Sequence, residues 1–183
     1  MKWSLNELHR YSDEPLHFNG TFDLKASLTK RFPKEILDAQ PVKVDGYVNY
    51  NNGDATVSAN VKGQITVPSS RSLEPVQMPL DFDFSETYTA DESHLDRYED
   101  DEVVFVLPRD HQVIDFDNSL VENIYEQIPT RVLTPDEQLH DELPSGKGWS
   151  VTEEATHDDQ DTNHVDPRFA KLKNLFPDQD SDN

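Results

Sequence analysis

Pro41-Val42-Lys43-Val44-Asp45-Gly46-Tyr47-Val48-Asn49-Tyr50-Asn51-Asn52-Gly53-Asp54-Ala55-Thr56-Val57-Ser58-Ala59-Asn60-Val61 decides the fold of this chain. Val42, Val44, Gly46, Val48 and Tyr50 fall on alternate positions, which is the period of a strand with one buried face. Asn51-Asn52-Gly53-Asp54 breaks the run with residues that adopt positive φ at little cost, so the chain turns back on itself. Val57, Ala59, Val61, Gly63, Ile65 and Val67 then alternate again. The two runs and their turn predict a long β-hairpin.

Strand period extends on both sides of the hairpin. Leu16 to Leu24 alternates, and so does Pro75 to Thr89 through Val76, Met78, Leu80, Phe82, Phe84 and Tyr88. Asp81 and Asp83, two apart, share the solvated face of that third long strand. Val103 to Leu107 is a short apolar strand ending at Pro108, after a polar, acidic loop from Asp91 to Glu102. Ser4 caps a short helix carrying Leu5 and Leu8, and Pro33 opens one helical turn in the ambiguous stretch Leu28 to Leu37. Asp115 or Asp117 caps a helix over Asn118 to Gln127, where Leu120, Val121, Ile124 and Tyr125 follow helical spacing and cover the apolar face of the sheet. The expected class is α+β: a mostly antiparallel β-sheet or partly open barrel, one covering helix and a flexible acidic C-terminal tail. The expected organisation is one β-rich domain over 1–149, an acidic linker over 150–165, and a short helix with a charged tail over 166–183.

Composition bounds the function. The chain has 183 residues, with 37 Asp and Glu against 16 Lys and Arg, for a net charge of −21. Such a field repels phosphate backbones and attracts basic proteins, so DNA is excluded as a partner and direct RNA contact is disfavoured. There is no cysteine, which removes disulfides and thiolate chemistry. No apolar run approaches the ~18 residues of a membrane span, and no charged-then-apolar leader opens the chain; a cytoplasmic protein that avoids membranes is expected.

Catalytic and metal signatures are missing. There is no Gly-x-Ser-x-Gly, no His-Glu-x-x-His and no glycine-rich dinucleotide loop. Gly146-Lys147-Gly148-Trp149 lacks the spacing of a phosphate loop. His157 and His164 flank Asp158, Asp159 and Asp161 at intervals that match neither a zinc nor a calcium loop. No catalytic residue, metal ligand or cofactor is expected.

Two short motifs remain. Ser69-Ser70-Arg71-Ser72-Leu73-Glu74-Pro75 turns the chain between two long strands. Arg71, a fixed cation with a planar fork of donors, either ties the loop to a carboxylate or presents its donors to a partner. Asp166-Pro167-Arg168-Phe169-Ala170-Lys171-Leu172 starts a short helix: Asp166 caps, Pro167 takes the first helical position, and Phe169, Leu172 and Phe176 form one stripe. Such a segment is too short to stay helical alone in water, so it orders against the body or against a partner, in the manner of a helix laid in a groove.

On these motifs the chain resembles the YceD family, bacterial proteins linked to accumulation of large-subunit ribosomal RNA. Many relatives carry Cys-x-Arg-Cys-Leu-x-Pro where this chain has Ser69, Arg71, Ser72, Leu73 and Pro75, so it resembles a branch that has lost its cysteines. Serine hydroxyls are poor zinc ligands, and any metal-dependent property of the family is in doubt here. The resemblance implies a non-enzymatic ribosome-biogenesis factor supporting accumulation of 23S ribosomal RNA. The charge suits binding of a basic ribosomal protein or a pre-50S particle, with Arg71, Leu73, Pro75, Asp166, Pro167, Arg168, Phe169 and Leu172 as the interaction residues. The alternative is a β-rich module binding a peptide or small ligand, unrelated to ribosomes; a hydrolase using clustered carboxylates is the third.

Overall fold

Ten strands and four α-helices are set out by a computed structural model that describes residues 1–139 and 145–151. In chain order they are β1 (Lys2–Ser4), α1 (Leu5–Leu8), β2 (Leu16–Phe22), α2 (Lys25–Arg31), β3 (Asp38–Ala39), β4 (Val42–Asn51), β5 (Asp54–Pro68), β6 (Pro75–Thr89), β7 (Val104–Val106), β8 (Val113–Asp115), α3 (Phe116–Glu126), α4 (Pro135–Leu139), β9 (Ser145–Gly146) and β10 (Trp149–Ser150). The chain separates into two units, 1–139 and 140–183. In the second, the described part is a small antiparallel pair, β9 with β10. The acidic linker from 152 onward and the whole Asp166–Phe176 segment lie outside the described residues.

The main sheet runs β2-β4-β5-β6-β7, with β3 also on β5. The hairpin forms where the alternation placed it: Asn51 pairs with Asp54, and Asn52 (φ 51°) and Gly53 (φ 96°) make the two-residue turn. Positive φ at both central positions twists the turn in the sense of the strands it joins. Burial strictly alternates along β4, where Val42, Val44 and Val48 face inward and Lys43, Asp45 and Tyr47 face water. Gly46 holds an inward position because a Cβ there would stand 2.6 Å from the Phe18 ring and 2.7 Å from the Ser58 carbonyl oxygen.

Most of the sheet is antiparallel, as expected, and it does not close into a barrel. One pairing differs: β7 runs parallel to β6, with Thr87 opposite Val104 and Thr89 opposite Val106. Residues 91–103 carry the chain back to make this possible, and Glu92–Arg97 within them winds into a 3-10 helix capped by the Asp91 side chain. Two further differences are local. The helix near Pro33 precedes it, as α2, because the residue before a proline is driven out of helical conformation; Phe32 sits at φ −125°, ψ 60°. β1 and β8 form a separate two-stranded ribbon.

α3 covers the inward face. Asp115 caps it by accepting from the Asn118 amide at 3.4 Å. Phe116 packs against Phe18, Phe22, Phe84 and Trp3, with ring centroids 4.9–6.2 Å apart. Leu120, Val121 and Ile124 are buried on the same side of the helix. Among the described residues no helix is long and apolar enough to cross a membrane.

Candidate functional site

The serine turn is built from its buried first residue outward. Ser69 is completely buried, and its hydroxyl donates to Glu137 Oε2 at 2.6 Å while accepting from the amides of Arg71 (3.1 Å) and Ser72 (3.3 Å). The same Glu137 oxygen accepts from the Thr134 amide at 2.8 Å. Next to it, the Ser70 amide donates to the Val132 carbonyl at 2.7 Å, and the Ser70 hydroxyl accepts from the Val132 amide at 2.9 Å. The turn is thereby clasped to residues more than sixty positions downstream. The Ser69 hydroxyl, the Thr134 amide and the Ser72 hydroxyl hold the Glu137 carboxyl down at about 2, from an ordinary 4.5. Hydrogen bonds from Ser69 and Ser72 to the Glu137 carboxylate thus fasten two distant segments of the chain.

The predicted contact residues of this turn all face solvent. Arg71, Leu73 and Pro75 are exposed. Leu73 is 72% exposed and sits at φ 64°, a left-handed conformation that disfavours a leucine by about 1–2 kcal/mol. The structure brings together Arg71, Leu73 and Pro75; Asp166, Pro167, Arg168, Phe169 and Leu172 fall outside the described residues.

Two buried carboxylates were not singled out by the sequence. Asp54, at the end of the hairpin turn, accepts from His94 Nδ1 at 2.7 Å and the Tyr98 hydroxyl at 2.8 Å, with Arg97 at 3.6 Å. Burial alone would raise its pKa, but the hydrogen bonds from Thr89, His94 and Tyr98 outweigh that and leave it below the ordinary value. Tyr98 is pushed up to about 12, first by burial and then by the Asp54 carboxylate. These contacts pin the acidic 91–103 segment to the hairpin.

Glu86 is the second. It is 6% exposed, on the inward face of β6. The Tyr88 hydroxyl and Ser119 Oγ (2.5 Å) donate to Oε2, and Asn123 Nδ2 donates to Oε1 at 2.6 Å. α3 therefore contributes polar side chains to the interior where it crosses β6. Burial and then the neighbouring carboxylate raise the Tyr88 pKa well above its usual value. The signal was present in the alternation: Val76, Met78, Leu80, Phe82 and Phe84 put position 86 in the inward phase, whereas Asp81 and Asp83 are in the outward one and are exposed.

The outward face of the sheet carries a shallow hollow of about 520 Å³ between Asp45, Tyr47, Ser58, Asn60, Asp83 and Ser85. Its lining combines hydroxyls, an amide and carboxylates with the Tyr47 ring and the apolar surface of Gly46, Ala59 and Phe84. No group of acidic or histidine side chains among the described residues is arranged to hold a metal ion.

Residues 57–176 match the family model described as "Large ribosomal RNA subunit accumulation protein YceD". The chain is also 30% identical over 181 residues to a protein of Bacillus subtilis (strain 168) named "Uncharacterized protein YlbN", an alignment covering 98% of this chain and 99% of the other. No solved structure shows a significant match.

Proposed function

The chain belongs to the YceD family, and from that premise we propose that it is a non-enzymatic factor in making the large ribosomal subunit. It binds a basic ribosomal protein, or the assembling particle that carries one, so that large-subunit ribosomal RNA accumulates. The observation that carries this proposal is the charge and where it lies. A net charge of −21 opposes direct RNA binding and favours cationic proteins. The exposed acids Asp96, Glu99, Asp100, Asp101 and Glu102 are concentrated in the segment that leads into β7. At the other end of β6, the clasped turn offers Arg71, Leu73 and Pro75 as local contacts. A ligand-binding module unrelated to ribosomes is less well supported, because the hollow on the sheet is shallow and open to solvent.

Capture of the tagged full-length protein from cells tests the proposal. Recovery of a basic large-subunit protein, released by salt, is expected. Recovery of RNA with no ribosomal protein overturns it. Gradient profiles of cells lacking the gene should show a deficit of large subunits; a normal ratio to small subunits removes the ribosomal role.

A further inference from the structure

A second cleft opens on the inward side, between the outermost strand β7 and helix α3. It measures about 250 Å³, and Glu86, Tyr88, Phe105, Leu107, Ser119 and Glu122 are among its walls. That is below the roughly 300–1,000 Å³ of small-molecule sites and suits one long side chain. The Tyr88 and Phe105 rings stack with centroids 5.4 Å apart and planes 25° from parallel.

The charges in this cleft are not equivalent. Glu122 is bridged to Arg31 at 2.5 Å, and Asp115 to Lys2 at 2.9 Å. Glu86 meets no cation among the described residues; its three donors are a phenol, a hydroxyl and an amide. A carboxylate offers roughly four acceptor positions, so one position on Oε1 is left. A buried charge without a counter-ion is costly to keep, and such groups gather where a ligand supplies the missing partner.

On its β7 side the rim of the cleft is apolar. Phe105 is 40% exposed and Val106 43%. β7 ends the sheet, with no strand on its outer side among the described residues. An edge of this kind pairs readily with an extended segment.

We propose that the β7–α3 cleft receives one arginine side chain of an extended basic polypeptide, with Glu86 as the anion that meets its guanidinium. This inference rests on the proposed role in binding a basic protein and assigns that contact to a place. The planar fork of arginine lies against the Phe105 and Tyr88 rings, where a lysine ammonium gains less. Its alkyl stem covers the apolar rim, and the backbone beside it runs along β7. The acidic segment upstream of β7 draws the partner in and sets the rate of encounter.

Titration of the full chain with the peptide Val-Arg-Val-Arg-Val, and with the same peptide carrying citrulline for arginine, tests the cleft. Citrulline keeps the shape and loses the charge. Binding of the arginine peptide at least tenfold tighter than the citrulline peptide is expected, with Glu86→Gln abolishing the difference and Asp81→Asn, on the opposite face, leaving it within twofold. Phe105→Ala, at an exposed edge position, should weaken binding about fivefold and serves as the readout should Glu86→Gln fail to fold. Equal binding by wild type and Glu86→Gln, or unchanged binding by Phe105→Ala, overturns the inference. The two proposals separate in capture from cells. Equal recovery of a ribosomal protein by wild type and Glu86→Gln removes the cleft and keeps the broader function. No recovery by wild type removes the broader function, and the peptide titration alone then decides the cleft.

Discussion

Asp54 and Glu86 are both buried carboxylates on neighbouring strands, 5% and 6% exposed, yet the molecule treats them differently. Asp54 is surrounded by Arg97, a cation, by His94, which takes a positive charge on protonation, and by the neutral Tyr98 hydroxyl. Glu86 is surrounded by neutral donors drawn from β6 and α3. Burial is therefore a poor guide to what a carboxylate is for. The first arrangement closes on itself and joins a turn to a loop. The second satisfies hydrogen bonds and leaves charge uncompensated beside an opening.

The largest effect should come from breaking the closed arrangement. Asp54→Asn leaves His94 and Arg97 facing an amide and is expected to cost about 3 kcal/mol, the lower end for a broken buried pair, because His94 and Arg97 retain some solvent. The urea midpoint measures it. Acid should act in the same direction. The Asp54 pKa is depressed in the fold, so its stabilisation is complete above the unfolded value of 3.8 and fades as pH falls through the folded one. A loss below 0.5 kcal/mol would erase the distinction between the two carboxylates.

Next comes the serine clasp, where a carboxylate is again held by neutral donors. Ser69→Ala removes one donor from Glu137 and the shared acceptor of the Arg71 and Ser72 amides, and should cost about 2 kcal/mol. Glu137 carries its own pH signature. Its pKa falls from 4.5 to about 2 on folding, so its contribution is whole above pH 4.5 and disappears between 4.5 and about 2. Thermal melts across that window should show a shallower acid slope for Glu137→Gln than for wild type.

Glu86→Gln should cost less than either, about 1 kcal/mol. The amide oxygen can still accept from Asn123, and the hydroxyls of Tyr88 and Ser119 can turn to accept from the new amide NH2. Chemical denaturation should find the same cooperative transition at a slightly lower midpoint. A loss as large as that of Asp54→Asn would mean that the Glu86 charge is itself structural.

How much of this was legible follows from the range of each signal. Asn52-Gly53 writes its turn locally, because φ is positive at both residues, and the long alternations write four strands and their wet faces. Partners are not local. Nothing in Val104–Val106 says that it runs parallel to β6, and three-residue strands such as β1 and β8 are too short to have a period. The turn itself was legible at Ser69 to Pro75, but its fastening to Glu137 was not, since 68 positions separate Ser69 from its partner. Glu86 was legible in the alternation: the step from the odd positions of Asp81 and Asp83 to an even one carries it to the other face.

That step supplies the smallest predicted effect. Asp81 stands on the same strand as Glu86, on the outward face, 3.3 Å from Lys62 with both side chains at least 60% exposed. Water and salt screen such a pair, and its two flexible side chains lose entropy by meeting, so Asp81→Asn should change stability by less than about 0.5 kcal/mol. Melts at low and high salt test this, and the mutant should differ from wild type still less at high salt. The two acids differ by five positions in one strand, so an effect of Asp81→Asn equal to that of Glu86→Gln would show that the face, and with it the inward phase of β6, had been misassigned.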